Sequence, residues 1–563
     1  MQKRWVIKKK GSEAHINKLA KELSIDKALA NLLVQRGIDD FSKAKNFFRP
    51  SLDNLYDPFL LKDIDKAIYR IDEAINKNQK IMIYGDYDAD GITAVTIVYS
   101  YLMRLYKNVS YYIPDRYSEG YGVSKASIDY ALKNNFSLII ALDCGIKAEE
   151  QIKYAKDNNI DFIVCDHHIP GDVIPDAYAI LNPKQPDCQY PYKELSGCGV
   201  GFKLMQAYAI THNYLPEDLH DFLDLLAVSI ASDLVPITDE NRILTYYGLK
   251  KINSNPRTSL KALLKLSNLE SIGLPEDIEK KPFRREITVN ELSFLIGPRI
   301  NAAGRVDSGF KAVELLISDD FQYTKKLAEY IDANNTVRKN LDSQITFEAT
   351  KLVANDESKL KNKSTVIYKP GWHIGVVGIV ASRLVETFYK PTVVLTDKEG
   401  LIIGSARSVK NFDIYNALEN CSDLLQTWGG HKLAAGISLL PENLNTFIER
   451  FEGIVAANIN DYYLIPEIEI DTIISLNSIT HKFIKILKQF APFGPENNTP
   501  VFYTEKVRDT GYAKQIGNNN QHLKLNLIQP PIFEDVFEAI AFNQADYYEA
   551  ISKGQPFNIC YTI

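Results

Sequence analysis

Short apolar runs alternate with helical patterns in the first third of the chain. Four isoleucines between residues 64 and 75 recur at helical spacing, which predicts an amphipathic helix. A continuous apolar run at 81–84 follows and leads into the acidic turn at 85–91. Two later runs, at 138–142 and 162–165, also end at acidic residues. Uninterrupted apolar strands that alternate with helices favour an α/β fold with a mostly parallel sheet covered on both faces.

Each of the three apolar runs is followed by acidic residues or histidines. These are Asp86, Asp88 and Asp90 after the first run, Asp143 after the second, and Asp166, His167 and His168 after the third. We expect these side chains to lie together, because the carboxyl ends of parallel strands meet at one edge of a sheet. The first turn holds three carboxylates and no lysine or arginine, so the carboxylates repel one another unless a cation joins them. More than four oxygen and imidazole donors indicate two ions, and Mn²⁺ or Mg²⁺ suits them better than a thiolate zinc site does.

Each cluster alone also has a structural interpretation. The Asp-x-Asp-x-Asp-Gly turn matches the start of a calcium-binding loop, but Val95, Thr96 and Ile97 stand where that loop requires a glutamate. A solvated acidic turn is the other alternative for this segment. Asp143 alone suits a helix N-cap, and a lone histidine pair is usually structural. The occurrence of all three clusters at equivalent strand ends favours one shared metal site.

The second half of the chain predicts a long helix, a second α/β unit and a β-rich end. Residues 319–355 carry leucines and isoleucines on roughly one face, which indicates a connecting helix. Between apolar strands at 366–368 and 393–395, the segment 372–383 reads as a glycine-rich helix start, where backbone N–H groups approach a phosphate. Short alternating strands follow from about residue 460.

Composition narrows the class of protein. The 563 residues are 45% hydrophobic and 24% charged, which is typical of packed globular domains. The formal net charge of −6 excludes a uniformly basic nucleic-acid coat but allows a local basic groove. The six cysteines form no C-x-x-C pair, which favours reduced thiols and a cytoplasmic location. The first residues carry no apolar signal region and no run is long enough for a membrane span, so no membrane partner is expected.

The residues at the strand ends resemble a known superfamily. The segments 84–91, 143–145 and 166–168 are similar to the first three motifs of the DHH phosphoesterases. Asp233, after the apolar helix at 225–232, is similar to the fourth motif. Within the superfamily the chain resembles the RecJ exonuclease family, and this likeness covers it from about residue 50 to the end. Four further segments carry the resemblance: 114–122, 195–201, 240–242 and 296–305.

The resemblance implies metal-assisted hydrolysis of a phosphodiester with two Mn²⁺ or Mg²⁺ ions. In this scheme Asp143 bridges the two ions and Asp88 holds one of them. Asp86 orients the acidic turn or completes a coordination shell. Three further residues hold the other ion: Asp90, His167 and Asp233.

The resemblance also implies contacts to the substrate. His168 contacts the phosphate or supports a ligand, and Arg116 lies along the path of the strand. Three residues neutralise charge that develops in the reaction: Arg299, Asn301 and Arg305. The second α/β unit resembles the DHH-associated domain, and four of its residues are candidates for phosphate contacts: His373, Arg407, Gly430 and His431. Arg383 is a fifth candidate, with an ion pair to an acid on the helix as the alternative.

The region from residue 459 resembles the OB-type domain of the same family. Such domains hold single strands with basic grooves and aromatic stacking. Four residues are candidates for these contacts, with core packing as the alternative for each aromatic: Tyr503, Tyr512, His522 and Lys524. The sequence ends inside an apparent strand at 557–563, and related barrels continue for at least one more strand, so a truncated barrel is expected.

Five segments are therefore expected: an N-terminal extension at 1–50, a DHH catalytic domain at 51–315, a connecting helix at 316–356, a DHH-associated domain at 357–458 and an OB-like domain at 459–563. The implied function is that of a 5′–3′ exonuclease specific for single-stranded DNA, in DNA repair and recombination. A monomer is expected, with a single-strand-binding protein or a helicase as candidate partners. Two alternatives stay open: a DHH phosphoesterase for short oligoribonucleotides or cyclic dinucleotides, and a binding protein that kept the fold and lost the metals. The second needs the expected ligands to be missing, and all of them are present.

Overall fold

The computed structural model describes residues 3–116, 118–215, 217–271, 281–306 and 309–563. The chain divides into two compact units. The larger unit contains Val6–Gly304, Ser308–Ala328 and Glu469–Ile563, and the smaller contains Met1–Trp5, Arg305–Asp307 and Glu329–Ile468. No helix within the described ranges is long and apolar enough to cross a membrane.

The larger unit is built around a parallel sheet. The strands of the first half of the chain are β1 (Arg4–Ile7), β2 (Lys80–Gly85), β3 (Val109–Tyr112), β4 (Phe136–Leu142), β5 (Asp161–Cys165) and β6 (Ala179–Leu181). Five of them form the sheet, in the order β3-β2-β4-β5-β6, and every neighbouring pair is parallel. The expected α/β fold with a parallel sheet is confirmed. The apolar runs of β2, β4 and β5 are buried on both faces, as the interior strands of such a sheet must be.

Helices follow the strands as the apolar periodicity predicts. They are α1 (Glu13–Leu23), α2 (Lys27–Gln35), α3 (Phe41–Phe48), α4 (Ile64–Asn76), α5 (Ala89–Leu105), α6 (Lys125–Lys133), α7 (Glu149–Asp157), α8 (Gly197–Thr211), α9 (Glu217–His220), α10 (Leu223–Asp233), α11 (Asp239–Ser254) and α12 (Thr258–Lys265). Then come α13 (Val289–Glu291), a π-helical stretch (Leu292–Ile296), α14 (Gly297–Val306), α15 (Phe310–Ile317) and the long α16 (Phe321–Ala354). Asp88 caps α5 by accepting from the backbone N–H groups of Asp90 and Gly91, and Ser196 caps α8 in the same way.

The strand register brings three strand ends to the same level. The last residue of β2, Gly85, lies opposite Leu142, the last residue of β4. Leu142 in turn lies opposite Cys165, the last residue of β5. The residues that follow these three strands therefore leave the sheet side by side at its carboxyl edge.

The smaller unit contains a second, mixed sheet. Its strands are β7 (Thr365–Tyr368), β8 (Thr392–Lys398), β9 (Leu401–Arg407), β10 (Leu425–His431) and β11 (Ala434–Leu439). Their order is β10-β11-β9-β8-β7, with β7 parallel to β8 and the other pairs antiparallel. The strand β12 (Glu467–Ile470) pairs with β1 in a separate sheet. The helices are α17 (Glu357–Lys361), α18 (Ile374–Phe388), α19 (Ile414–Glu419) and α20 (Leu444–Asn458). Both strands predicted for this region are present.

The C-terminal part of the larger unit is rich in strands, as predicted. It contains α21 (His481–Lys488), α22 (Tyr548–Ser552), β13 (Thr472–Ile473), β14 (Phe502–Asp509), β15 (Lys514–Ile516), β16 (His522–Gln529), β17 (Ile532–Ala541) and β18 (Phe557–Tyr561). The sheet order is β13-β14-β16-β15, with β17 on β16 and β18 on β14. A small apolar core of leucines and Val507 fills it. The strand predicted near the end of the sequence is thus paired along β14.

The N-terminal helices share one core with this C-terminal segment. Buried side chains of α1 and α2 pack with residues of α21, of β14 and of the segment between them: Ile16, Leu19, Leu29, Leu33, Phe483, Phe490 and Phe502. Arg242 of α11 reaches the same region, where its guanidinium donates to the backbone carbonyls of Phe47 and of residues 489–492. The helices α1 and α2 are therefore an integral part of the larger unit.

Candidate metal centre

Three buried aspartates stand directly after the central strands. Asp86 follows β2, Asp143 follows β4 and Asp166 follows β5, and all three are almost fully buried. Asp143 has a φ of 59°, in the left-handed region that aspartate tolerates better than most residues. The chain therefore turns sharply at the strand end, and the carboxylate stays at the edge of the sheet.

The side chains at this edge form three groups of potential metal ligands. Within each group the ligand atoms lie within 4.8 Å of one another: Asp86, Asp88 and Asp143; Asp90, His167 and Asp233; and Asp143, His167 and His168. His167 Nε2 lies 3.2 Å from Asp143 Oδ1 and 3.5 Å from Asp233 Oδ2. The structure thus brings together all six residues that the sequence suggested as ligands. Asp143 and His167 each belong to two of the groups.

Burial and mutual repulsion set the electrostatics of these groups. Burial raises the pKa of Asp86, Asp143 and Asp233 well above the usual aspartate range, and the neighbouring carboxylates raise it further. Burial and the charge of Asp90 also raise the pKa of Asp88. Burial lowers the pKa of His167, so its imidazole is neutral and able to bind a cation. The carboxylates of the free protein are therefore held close together against their repulsion.

Several buried ligand atoms at this edge lack hydrogen-bond partners in the part of the chain that the structure describes, which indicates that a cation fits here. Asp86 Oδ1, Asp143 Oδ1 and both ring nitrogens of His167 have no hydrogen-bond partner among the described residues. Burying such an atom without a partner costs about 1–3 kcal/mol. Bound divalent cations would give these atoms a partner and would also neutralise the repulsion between the carboxylates. Carboxylate oxygens with one imidazole are the donor set of Mn²⁺ or Mg²⁺, and the three groups contain no thiolate.

Asp166 supports His168 instead of joining the ligand groups. Its carboxylate accepts from three backbone N–H groups and lies 2.7 Å from His168 Nδ1. Burial works to raise the pKa of Asp166, but the hydrogen bond and charge of His168 outweigh it and hold the pKa at about 2. Burial works to lower the pKa of His168, but the bond to Asp166 raises it to about 9. His168 therefore carries a positive charge at neutral pH, and its Nε2 lies 3.1 Å from the hydroxyl of Tyr121.

The acidic turn is also held by the helical segment at 289–306. Asn301 Oδ1 accepts from the backbone N–H of Ala89 at 2.7 Å, directly after Asp88. Arg299 is buried and donates to the backbone carbonyl of Leu295. Asn301 thus contacts the backbone of the acidic turn, whereas Arg299 contacts the backbone of its own helical segment. The side chain of Arg305 lies outside the described residues.

Arg116 lies beside the acidic turn. Its guanidinium carbon is 5.1 Å from the centre of the Tyr87 ring, and its positive charge works to lower the pKa of Asp86. Tyr121 also contacts Tyr87, with ring centres 6.4 Å apart. The sequence assigned no role to Tyr87 or Tyr121, although both lie within the motifs that carried the resemblance.

The candidate substrate-binding residues of the smaller unit differ in their local contacts. His373 caps α18 by accepting from the N–H of Gly375. The guanidinium of the half-buried Arg407 donates to Ser405 Oγ and to the Ala406 carbonyl. Gly430 has a φ of 147° and pairs with Ala435 across the β10–β11 hairpin, and the exposed His431 follows it.

Arg383 forms the ion pair that the sequence left open as an alternative. Its Nε and Nη2 donate to the carboxylate of Asp342 on α16 at 2.9–3.1 Å. The Asp342 side chain is only 2% exposed, so the arginine is needed to neutralise a buried charge. This contact stabilises the smaller unit, whatever else the arginine does.

The C-terminal candidates lie mostly at the surface. Tyr512 is exposed, with Lys514 Nζ 4.9 Å from its ring centre. The ring of His522 packs against the exposed Phe542. Lys524 pairs with Glu538 of β17. Aromatic and basic side chains therefore share this sheet, and Lys524 is partly neutralised.

A close approach of α8 to Asp143 yields a testable prediction. A Cβ added at Gly197 would lie 2.5 Å from Asp143 Cβ and 2.6 Å from its Oδ1. Gly197→Ala is therefore expected to displace Asp143 and to weaken Mn²⁺ binding about tenfold or more, measured by titration calorimetry. Gly199→Ala on the same helix is the matched control, because its Cβ would meet only ordinary contacts at 3.5 Å. Equal Mn²⁺ affinities in the two variants would contradict the prediction.

Comparisons with known proteins agree with the fold and with the binding of Mn²⁺ or Mg²⁺. Three family models match: the DHH family N-terminal domain at residues 80–230, the DHHA1 domain at 361–457 and the RecJ OB domain at 470–563. The single-stranded-DNA-specific exonuclease RecJ of Bacillus subtilis is 37% identical over 560 residues, 99% of this chain and 68% of that protein. The RecJ of Salmonella typhimurium is 34% identical, over 86% of this chain and 84% of its own length. The crystal structure of Thermus thermophilus RecJ with Mn²⁺ matches with a TM-score of 0.79 at 25% identity, and covers 100% of this chain and 79% of that one.

The parallel sheet and the acidic edge, together with these matches, define a metal-dependent phosphoesterase of the DHH type. Its three matched domains appear in the order expected from the sequence. The chain belongs to the RecJ family of exonucleases.

Proposed function

We propose that the protein is an exonuclease specific for single-stranded DNA that hydrolyses phosphodiester bonds with two Mn²⁺ or Mg²⁺ ions. The observation that carries this proposal is the buried edge of carboxylates and imidazole, at which Asp86 Oδ1, Asp143 Oδ1 and the ring nitrogens of His167 have no hydrogen-bond partner among the described residues. The names of the relatives and the Mn²⁺ complex of the Thermus protein support the substrate and the metals.

The residues at this edge of the sheet have two roles: some would hold the metal ions, and one would contact the phosphate. Asp86, Asp88 and Asp143 would hold one ion, and the second ligand group would hold the other: Asp90, His167 and Asp233. Asp143 would be shared between the two ions, because it also belongs to a group with His167. Such ions polarise the phosphoryl group and acidify bound water. His168 is oriented by Asp166 and would contact a phosphate oxygen of the substrate, where negative charge develops in the reaction.

Other groups bind and orient the strand. Arg116 with Tyr87 and Tyr121 offers a charge and aromatic faces beside the ligands. In the smaller unit, phosphate contacts are proposed for His373, Arg383, Arg407, Gly430 and His431. Arg299, Asn301 and Arg305 complete the proposed set near the acidic turn. The exposed aromatic and basic side chains around Tyr512 and His522 extend strand binding to the C-terminal sheet.

The finer features of the proposal rest on the resemblance to the family. They are a 5′–3′ direction of digestion, a role in DNA repair and recombination in the cytoplasm, and a monomeric enzyme. A single-strand-binding protein or a helicase is the proposed partner. The segment boundaries given above, from the extension at 1–50 to the OB-like domain at 459–563, belong to the same proposal.

Digestion of end-labelled DNA tests the proposed function. We expect the full chain to release nucleotides from single-stranded DNA with Mn²⁺ or Mg²⁺, and to leave a duplex of the same sequence intact. A 5′ label is expected to appear in small products first, and a chelator to stop the reaction. Faster cleavage of dinucleotides than of long strands would identify a small-substrate phosphoesterase instead. Absence of Mn²⁺ binding by calorimetry would identify a metal-free binding protein.

A further inference from the structure

Asp90 is held on one side by donors that come from two helices. Its side chain is fully buried. Oδ2 accepts from the backbone N–H of Gly197 at 2.7 Å, and Oδ1 accepts from the N–H of Cys198 at 2.9 Å and from Ser229 Oγ at 2.7 Å. Oδ1 thus has two donors, whereas Oδ2 has one and faces His167 Nε2 at 3.8 Å. Oδ2 is therefore the oxygen turned toward the ligand group.

Two buried serines, Ser196 and Ser229, form a row of hydrogen bonds that ends at Asp90. Ser196 Oγ lies 2.6 Å from Ser229 Oγ and accepts from the N–H of Gly199 at 3.1 Å. An ionised carboxylate only accepts, so the Ser229 hydroxyl donates to Asp90. Ser229 has one proton, and Ser196 must therefore donate to the Ser229 oxygen. Every donor in the row from Gly199 to Asp90 points toward the carboxylate, an arrangement in which each bond strengthens the next.

The helix α10 connects this row to the second ligand group. Ser229 and Asp233 lie four residues apart on α10, and residues at this spacing share one face of a helix. One face of α10 therefore carries a proposed ligand and also the hydroxyl that holds another ligand, Asp90. Both serines are fully buried, so neither hydroxyl competes with solvent for this contact.

We infer that Ser229, supported by Ser196, is a positioning residue that fixes the Asp90 carboxylate so that Oδ2 faces the cation. The inference rests on the proposed function, because it takes Asp90 as a metal ligand. Removing a residue that hydrogen-bonds to a metal ligand typically weakens metal binding 10- to 100-fold. Ser229 acts through Asp90 and makes no contact with substrate in this scheme.

The test is Mn²⁺ binding to the full chain in the absence of DNA. Ser229→Ala is expected to raise the Mn²⁺ dissociation constant about tenfold by titration calorimetry, and to reduce the rise in unfolding temperature that Mn²⁺ produces. Ser259→Ala is the matched control: Ser259 is also fully buried, and its hydroxyl has no hydrogen-bond partner within the described ranges. The control is expected to bind Mn²⁺ like the wild type.

The outcomes separate the inference from the proposed function. If the wild type binds no Mn²⁺, the proposed function fails. If the wild type binds Mn²⁺ and Ser229→Ala binds it within twofold of the same affinity, the positioning role alone is overturned. If Ser229→Ala does not fold, Ser229→Cys decides, because a thiol keeps the shape and donates only weakly. Weakened binding by the cysteine variant supports the role, and unchanged binding overturns it.

Discussion

Replacing Asp143 by asparagine is expected to abolish Mn²⁺-dependent hydrolysis of single-stranded DNA while making the metal-free protein more stable. Asp143 belongs to two of the three ligand groups, and its Oδ1 is a buried acceptor without a partner among the described residues. Asparagine keeps the size but removes the charge that both proposed ions require. We expect the rate to fall about a thousandfold or more, which corresponds to about 4 kcal/mol of transition-state stabilisation.

The gain in stability has a separate physical cause. In the absence of metal, Asp143 is crowded by Asp90, Asp88, Asp233 and Asp86, all of which raise its pKa. The neutral amide removes this repulsion, so the metal-free unfolding temperature should rise. Rates with labelled DNA and thermal unfolding in a chelator measure the two effects. The exposed Asp129→Asn is the control and should change neither. An Asp143→Asn variant within tenfold of the wild-type rate would contradict the proposed role of this residue.

Replacing Arg242 by leucine is expected to lower the free energy of unfolding by about 3–5 kcal/mol, because each buried carbonyl left without a donor costs about 1–3 kcal/mol. The guanidinium donates to five backbone carbonyls, those of Phe47, Gln489, Phe490, Ala491 and Pro492. Its carbon also lies 3.8 Å from the centre of the Phe47 ring. Leucine removes this donor from the carbonyls of Phe47, Gln489 and Ala491, in a region where water is largely excluded. The other two carbonyls still accept from Asn497 Nδ2.

Urea unfolding of the metal-free protein, followed by circular dichroism, measures this loss. Arg104→Leu is the control, because Arg104 lies exposed at the end of α5. Its effect is expected to stay below about 1 kcal/mol, as for most surface substitutions. A similarly small effect of Arg242→Leu would show that the carbonyls find other donors when the arginine is absent.

Local pattern makes most of the metal centre recognisable in the amino-acid sequence. Uninterrupted apolar runs predict buried parallel strands, and the residues after such runs must meet at one edge. Asp86, Asp143 and His167 could therefore be grouped from the sequence alone. Asp233 could not, because it lies on a helix far along the chain, and only the resemblance to the DHH motifs indicated it. The structure confirms the fold, and it brings Asp233 to within 3.5 Å of His167.

The contacts between segments far apart in the chain could not be predicted from any local pattern in the sequence. The row from Ser196 through Ser229 to Asp90 joins three helices, and none of the three residues has a pattern that predicts the other two. The contact of Arg242 with residues 489–492 spans nearly half of the chain. Such contacts depend on how helices pack once the sheet has formed, and apolar periodicity records only which face of each helix is buried.

The sequence by itself therefore determined the parallel sheet, the acidic strand ends and the oxygen-rich character of the site. These depend on the alternation of apolar and polar residues and on charge, and both are local properties of the chain. The tertiary structure decided which oxygen of Asp90 faces His167 and which accepts from Ser229. It also decided that Asp166 hydrogen-bonds to His168, and that the N-terminal helices pack against the C-terminal segment. These depend on the distances and directions between side chains, which exist only after distant segments have packed together.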